Sequence, residues 1–473
     1  MRTLLFYDIE TSGLNPAFDQ ILTFAAIRTD LQLNELDRQA VTVQFREDII
    51  PSPMAFMTHG LTFDELKSGV SEYEAALAIH EMVNVPGTIS LGYNSLGFDD
   101  EFLRFLFYRN LLDPYSHQYS RGCGRMDILP VTAIYRLFNP QRLSWPKIDG
   151  KDTLKLEHIS RENGFETSGR AHEAMNDVEA LIELCKIFIK DIDIWTYSLD
   201  FFNKTKDEIR INNIKPDIEI QNRRFRVCVM VSPLFGPDNH YLAPVLHLGP
   251  SKPYKNQSLW LRLDNTNLLG LESGKEISET MVIRKRSADA LIVLPPLERF
   301  WNRLPIRSRE ETDRNLKLIN EQWAVFFELI QYHSEFKYPI IPEMDTDASL
   351  YQDGFFTGEE KQEIRKFHNA LSNGNYNTIE TIGSARIKRL AHRILYRNFS
   401  RSLSPELSDG YASYLARLKS DAPEDLFIGF RNDVKLNTTA AKEELKQIGQ
   451  SLSHPTELEK RMMIQLEKYF SGL

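Results

Sequence analysis

The sequence predicts a chain of three parts: an α/β domain over residues 1–195, a β-rich domain with helical insertions over 196–348, and an all-helical domain over 349–473. Three observations predict it. Short apolar runs near the N-terminus give way to alternating strand and helix patterns, the mark of an α/β layer. From about residue 223 to 294 come β-branched runs separated by Gly, Pro and Asn, as in a small barrel or open sheet. Beyond about residue 350 the periodicity is helical.

In the first part, "LLFYDIE", "ILTFAAIRTD" and "AVTVQF" read as the strands of a meander, and "GTISLGYN" as a further buried strand. Helical patterns cover residues 64–83, 100–111 and 170–190. In the second part the strand-like runs are "RFRVCVMVSPLF", "HYLAPVLHLG", "SLWLRLD", "TMVIRKR" and "ALIVLP". A helix is predicted over 312–332, where Leu316, Ile319, Trp323, Phe326, Phe327 and Ile330 form one stripe. In the third, Thr357 and Glu360 make a capping box ahead of Ile364, Phe367 and Leu371.

Composition narrows the class. At 473 residues and 42% hydrophobic, the chain can bury several cores. No apolar run approaches ~18 residues, so no membrane span is expected. Asp8 and Glu10 interrupt the first apolar run, which removes a signal-peptide reading. Cys123, Cys185 and Cys228 lie scattered in or beside apolar segments and read as buried thiols, not as a disulfide or zinc framework. A reducing, cytoplasmic setting is expected. The net charge of −9 does not exclude a polyanionic partner, because nucleic-acid enzymes gather positive charge in a groove and leave the rest acidic.

The chemistry begins at "FYDIETSGL". Asp8 and Glu10 alternate with Tyr7 and Ile9, so they share one strand face about 7 Å apart. At ~5 Å and an effective dielectric of ~20 their repulsion is on the order of 3 kcal/mol, which a cation or hydrogen bonds must offset. Gly13, Asn15 and Pro16 follow as turn residues, placing the pair at a strand end. In "GFDDEFL", Asp99 has Phe102 and Leu103 at i+3 and i+4 and so borders a buried flank, whereas Asp100 and Glu101 suit a helix N-terminus. In "HEAMNDV", Asp177 lies between Ala174 and Leu181 on the core-facing side. His172 is five residues earlier, about 140° round an ideal helix. Each feature alone has an ordinary structural reading: a wetted strand end, a complemented helix dipole, a helix-start histidine.

Together, "FYDIETSGL", "GFDDEFL" and "HEAMNDV" resemble the three motifs of the DEDDh family of 3′→5′ exonucleases. "THGLT" resembles the family's short segment between the first two motifs. The resemblance implies a ribonuclease-H-like α/β domain with a mixed sheet flanked by helices. It implies that Asp8, Glu10, Asp99 and Asp177 bind two Mg²⁺ ions, which Mn²⁺ can replace, and that His172 is the general base. It also implies that Glu10, Thr11, Gly13 and Leu14 approach the terminal nucleotide. Four carboxylates without cysteine suit such hard ions. Along essentially its whole length, through "FAAIRTD", "FYRNLLDPY", "SWP" and "LEHISRENG" and on through "VSPLFG", "LYQDGFF" and "YRNF", the chain resembles bacterial exonuclease I. That resemblance implies an SH3-like second domain, a helical third domain, and processive 3′→5′ degradation of single-stranded DNA to 5′-mononucleotides in repair and recombination. It further implies a monomer that binds the acidic tail of the single-stranded DNA-binding protein.

The segment 385–401 supports strand binding, with Arg386, Arg389, Arg393 and Arg397 along one helix face beside Tyr396 and Phe399. "VIRKRS" and "RRFR" are further basic candidates. Two other functions remain open at this point: an RNA-directed relative, and a non-catalytic single-strand binding protein that keeps the fold. The presence of all four acids and the histidine weighs against the second.

Overall fold

The computed structural model describes residues 2–165, 173–266, 268 and 281–472. The first sheet is built around β1 (Thr3–Thr11), with β2 (Ile21–Thr29), β3 (Glu35–Thr42), β4 (Thr88–Gly92) and β5 (Gly124–Asp127) in the order β3-β2-β1-β4-β5. The meander β1-β2-β3 is antiparallel, and β4 and β5 run parallel to β1, giving a mixed sheet.

Alternation along β1 assigns its two faces. Leu4 and Phe6 face a core with Ala25, Ile27 and the apolar side of α7 (Ala174–Phe188): Val178, Leu181, Cys185 and Phe188. Leu5, Tyr7 and Ile9 face the opposite core, filled from α3 (Glu72–Val83) and α4 (Asp99–Arg109). Asp8 and Glu10 continue the Leu4–Phe6 face and therefore emerge on the side of α7.

The remaining helices of this part are α1 (Pro53–His59), α2 (Phe63–Lys67), α5 (Ile128–Phe138), α6 (Leu156–Asn163), α8 (Ile192–Leu199) and α9 (Lys204–Asn213), with a short hairpin of β6 (Lys147–Ile148) and β7 (Lys151–Asp152). The single helix expected over 64–83 is two. Residues 68–71 leave the helix so that Val70 bridges Val43, and the backbone at Gly69 packs so tightly on residues 42–44 that a Cβ there would lie 2.7 Å from their atoms. A capping box between Ser71 and Glu74 then starts α3 afresh.

The second sheet is antiparallel: β8 (Ile218–Ile220), β9 (Arg223–Val231), β10 (Leu242–Pro250), β11 (Gln257–Arg262), β12 (Val282–Arg286) and β13 (Ile292–Leu294). Its path runs β12-β11-β10-β9-β13, with β8 on β9. Val229, Val231, Leu242 and Ile292 pack on Ala133, Ile134 and Leu137 of α5, which fastens this sheet to the first part. After α10 (Glu298–Trp301), the helix expected over 312–332 is also two, α11 (Ile306–Glu321) and α12 (Trp323–Glu335), parted at Gln322 (φ −110°, ψ 40°).

From residue 350 come α13 (Leu350–Asp353), α14 (Gly358–Ser372), α15 (Ala385–Asn398), α16 (Pro405–Leu418), α17 (Thr438–Ser451) and α18 (Glu457–Ser471). The capping box of Thr357 and Glu360 opens α14 as expected. This part shares cores with the first. Ile387, Leu390 and Ile394 of α15 pack with Phe18, Tyr73, Phe105 and Tyr108, and α17 and α18 pack on Phe56 and Leu66. The three cysteines are buried free thiols. Among the described residues no helix is long and apolar enough to cross a membrane.

Candidate active site

The site forms where β1 outlasts its parallel neighbour. β4 pairs with β1 only as far as Phe6 opposite Leu91, while β2 continues through Asp8 opposite Ala25 and Glu10 opposite Thr23. The β4 side of β1 is thus open from Tyr7 onward. Asp99, the first residue of α4, enters this opening, where the backbone N–H of Ile9 draws its pKa down against stronger opposing effects. Asp177 lies in the first turn of α7. One carboxylate oxygen each from Asp8, Glu10 and Asp177 lie within 4.8 Å of one another. Asp99 stands outside that trio, yet its charge acts on both Asp8 and Glu10.

Burial pushes the Asp8 carboxyl well above its usual range, and Asp99, Asp177 and Glu10 push it further. Glu10 rises to about 8, through burial first and then Asp177 and Asp99. Asp99 also rises to about 8, through burial and the charge of Asp127. Asp8, Glu10 and Asp99 form no ion pair with any described residue. Desolvated acids gathered without a cation are unfavourable as anions, and a bound divalent cation relieves that. The donor set is oxygen throughout, which fits a hard divalent ion.

Asp100, adjacent in sequence, has the opposite surroundings. Its carboxylate pairs with Arg104 Nη2 at 2.6 Å, with Arg125, and with His117 Nε2 at 2.9 Å. Against its own burial, Arg104 and Arg125 hold it well below the usual carboxylate range. Asp100 is therefore a buried anchor for α4, and Asp99 is the acid aimed at β1. Sequence reading missed Asp127, whose carboxylate accepts the backbone N–H groups of Asn94 (2.9 Å), Leu96 (3.2 Å) and Leu129 (2.9 Å). It fixes the turn ahead of Asp99, where Asn94 takes a left-handed φ of 64°. The signal lay in Asp127 as an N-cap residue before an apolar helix.

The loop after β1 is rigidly organised. Thr11 Oγ1 donates to the Gly13 carbonyl at 2.7 Å, and Asp19 accepts from Ser12 Oγ and the Asn15 N–H. A Cβ on Gly13 would stand 2.4 Å from the Asp19 carboxylate and would push aside the group that orders the loop. This turn presents Leu14 to solvent at 78% exposure, which excludes a core role for it. Glu10, Thr11 and Leu14 line a cleft of about 600 Å³ with Met54 and His59 on one side and Phe430 and Arg431 on another.

His172 lies outside the described residues. The basic strip expected on α15 is corrected. Arg397 is buried between Asp48 (2.8 Å) and Asp347; Arg393 pairs with Asp345 at 2.9 Å and stacks on Tyr414; Arg386 pairs with Glu360. Arg389 alone is exposed, and it donates to Thr346 Oγ1 at 3.1 Å. The face reads as a strand-binding strip in sequence because the matching acids come from remote segments. Of the other basic runs, Lys285 in "VIRKRS" is buried on Asp207 at 2.5 Å, and Arg223 in "RRFR" stacks on Phe327.

A family model described as an exonuclease, RNase_T, matches residues 5–185. Exodeoxyribonuclease I of Escherichia coli (strain K12) is 30% identical over 464 residues, covering 89% of this chain and 94% of its own length. The chain belongs to the exodeoxyribonuclease I family. The fold agrees along its whole length: E. coli exonuclease I in complex with a dA16 oligonucleotide superposes with a TM-score of 0.82 at 25% identity, covering 100% of both chains. A structure of SSB/Exonuclease I in complex with inhibitor CFAM superposes with a TM-score of 0.81 at 25% identity, covering 100% of this chain and 99% of the other. Membership of the exodeoxyribonuclease I family makes this chain an exonuclease, a hydrolase of phosphodiester bonds. Its exonuclease domain implies dependence on a divalent metal, and the acidic cluster on β1 and α7 is present to meet it.

Proposed function

We propose that this exonuclease degrades single-stranded DNA from the 3′ end and releases 5′-mononucleotides. The observation that carries the proposal is the clustering of Asp8, Glu10 and Asp177, with Glu10 lining a cleft of about 600 Å³. Asp8, Glu10, Asp99 and Asp177 would hold two Mg²⁺ ions, for which Mn²⁺ could substitute. Such ions supply a water of lowered pKa and offset charge on the departing oxygen.

The remaining work falls to the chain itself. His172, by the family resemblance, takes the proton from the attacking water, as an imidazole can at neutral pH. The water oxygen bonds to phosphorus, the bond from phosphorus to the 3′-oxygen of the preceding residue breaks, and that oxygen takes a proton from solvent to become the new 3′-hydroxyl. Thr11 and Gly13 set the turn that projects Leu14 into the cleft, where its exposed side chain packs against the terminal nucleotide. An SH3-like form for the second domain agrees with its antiparallel strands.

Preference for DNA over RNA rests on likeness to whole-length relatives, including one solved with dA16. Side-by-side digestion of labelled DNA and RNA oligomers tests it: faster DNA turnover is expected, and faster RNA turnover would reject it. Likeness to a chain solved as SSB/Exonuclease I supports a single-stranded DNA-binding protein as partner, through its acidic tail.

A further inference from the structure

The far wall of the cleft comes from the third part of the chain. Residues 427–436 form a tight hairpin between α16 and α17, bridged from Ile428 to Val434. Its tip is closed by Gly429 N–H donating to the Asp433 carbonyl at 2.7 Å and Asn432 N–H to the Gly429 carbonyl at 3.1 Å, with Asn432 at φ 58°. A Cβ on Gly429 would lie 2.3 Å from the Asp433 carboxylate, so a side chain there would displace Asp433.

This hairpin is tied directly to the catalytic loop. Asp433 accepts from Asn15 Nδ2 at 2.5 Å, just past Leu14, and Lys435 Nζ donates to the buried Asp48 carbonyl at 2.7 Å. Phe430 packs between Phe105 and Tyr351. Between these anchors Arg431 is exposed on the cleft wall, its guanidinium over the Phe430 ring at 5.0 Å. It makes no ion pair among the described residues, unlike Arg46, Arg104, Arg109, Arg386, Arg393 and Arg397. Of the acids that line its cleft, Asp433 is occupied by Asn15 and the Arg431 N–H, Glu444 by Ser52 Oγ and the Met54 N–H, and Asp19 by Ser12 and the Asn15 N–H, while Glu10 belongs to the acidic cluster.

An unpaired arginine on a fixed turn, stacked on an aromatic ring and facing a cleft with carboxylates at its foot, is arranged for a phosphate. We infer that Arg431 is a substrate-positioning residue that binds a backbone phosphate of the strand whose end enters the acidic cluster. The inference rests on the strand-degrading function proposed above.

The test is binding of a fluorescent single-stranded DNA oligomer in chelator, across a salt series, by wild type, Arg431→Ala, Arg431→Lys and Arg431→Glu. Arg431→Ala should bind about tenfold more weakly, as for one lost charge-assisted contact. Its slope of log affinity against log salt should be shallower by ~0.7, the value for one phosphate contact on a single strand. Arg431→Lys should keep the wild-type slope, and Arg431→Glu should bind most weakly. In turnover, KM should rise more than kcat falls. Wild-type affinity and slope in Arg431→Ala would overturn the inference, and so would weaker binding with an unchanged slope, which would assign Arg431 a packing role. If the wild type itself neither binds nor degrades single strands, it is the functional proposal that fails.

Discussion

Asp99 and Asp100 are consecutive residues with opposite electrostatic fates: Asp100 is enclosed by Arg104, Arg125 and His117, and Asp99 acts on Asp8 and Glu10 and forms no ion pair among the described residues. Replacing each should therefore fail in a different way. Asp100→Asn breaks a buried ion-paired group and should cost about 3–5 kcal/mol of folding stability. Asp99→Asn removes an unfavourable charge and should leave urea unfolding in chelator unchanged or more stable, while cutting nucleotide release by at least ~100-fold, the scale of losing a group that stabilises the transition state. Equal losses of stability in both variants would contradict this division.

Stability should depend on pH in a particular direction. Asp8, Glu10 and Asp99 have folded pKa values raised above the unfolded values, with Glu10 and Asp99 at about 8. Between roughly pH 4 and pH 8 the native state then holds more protons than the unfolded state, so stability falls as pH rises through that window. Thermal melts in chelator should show a falling midpoint from pH 5 to pH 8. Excess Mg²⁺ should recover it most at the alkaline end, because ligation replaces the lost protons. A midpoint that rises with pH in chelator would count against the assignment.

Asp177→Ala should abolish nucleotide release while single-strand binding in chelator persists, because the trio loses one ligand and the cleft wall keeps its shape. Gel-resolved digestion together with fluorescence anisotropy would check it. Unchanged hydrolysis would remove Asp177 from the site.

Arg397→Ala separates the buried network from strand binding. With Asp347 left buried without its ion pair and Asp48 left with Arg46 alone as ion-pair partner, the variant should lose about 3–5 kcal/mol by chemical unfolding. The salt slope of single-strand binding by the folded fraction should match wild type. A shallower slope would restore Arg397 to the strand path.

Much of this molecule was legible in sequence because the signals were local. Two-residue alternation in β1 fixed which face carries Asp8 and Glu10, and the Phe102–Leu103 flank singled out Asp99. The capping box at Thr357 is likewise contained in four residues. What escaped reading depends on partners far along the chain. Arginines of α15 looked like a strand-binding strip because Asp48, Asp345 and Asp347 lie on other elements. The helix expected over 64–83 broke for a bridge from Val70 to Val43 that its own periodicity does not encode. The hairpin at 427–436 meets the catalytic loop through Asn15 and Asp433, 418 residues apart, and no pattern near either residue announces the pair.

Calorimetric titration of Mn²⁺ into the nucleic-acid-free protein at pH 7, in two buffers of different ionisation enthalpy, addresses the acidic cluster itself. Uptake should release protons from carboxyls whose pKa values stand near 8, so the heat should differ between buffers, and Asp8→Asn should lose it. Absence of uptake by the wild type, heat indifferent to buffer, or undiminished binding in Asp8→Asn would contradict a divalent-metal centre at this site.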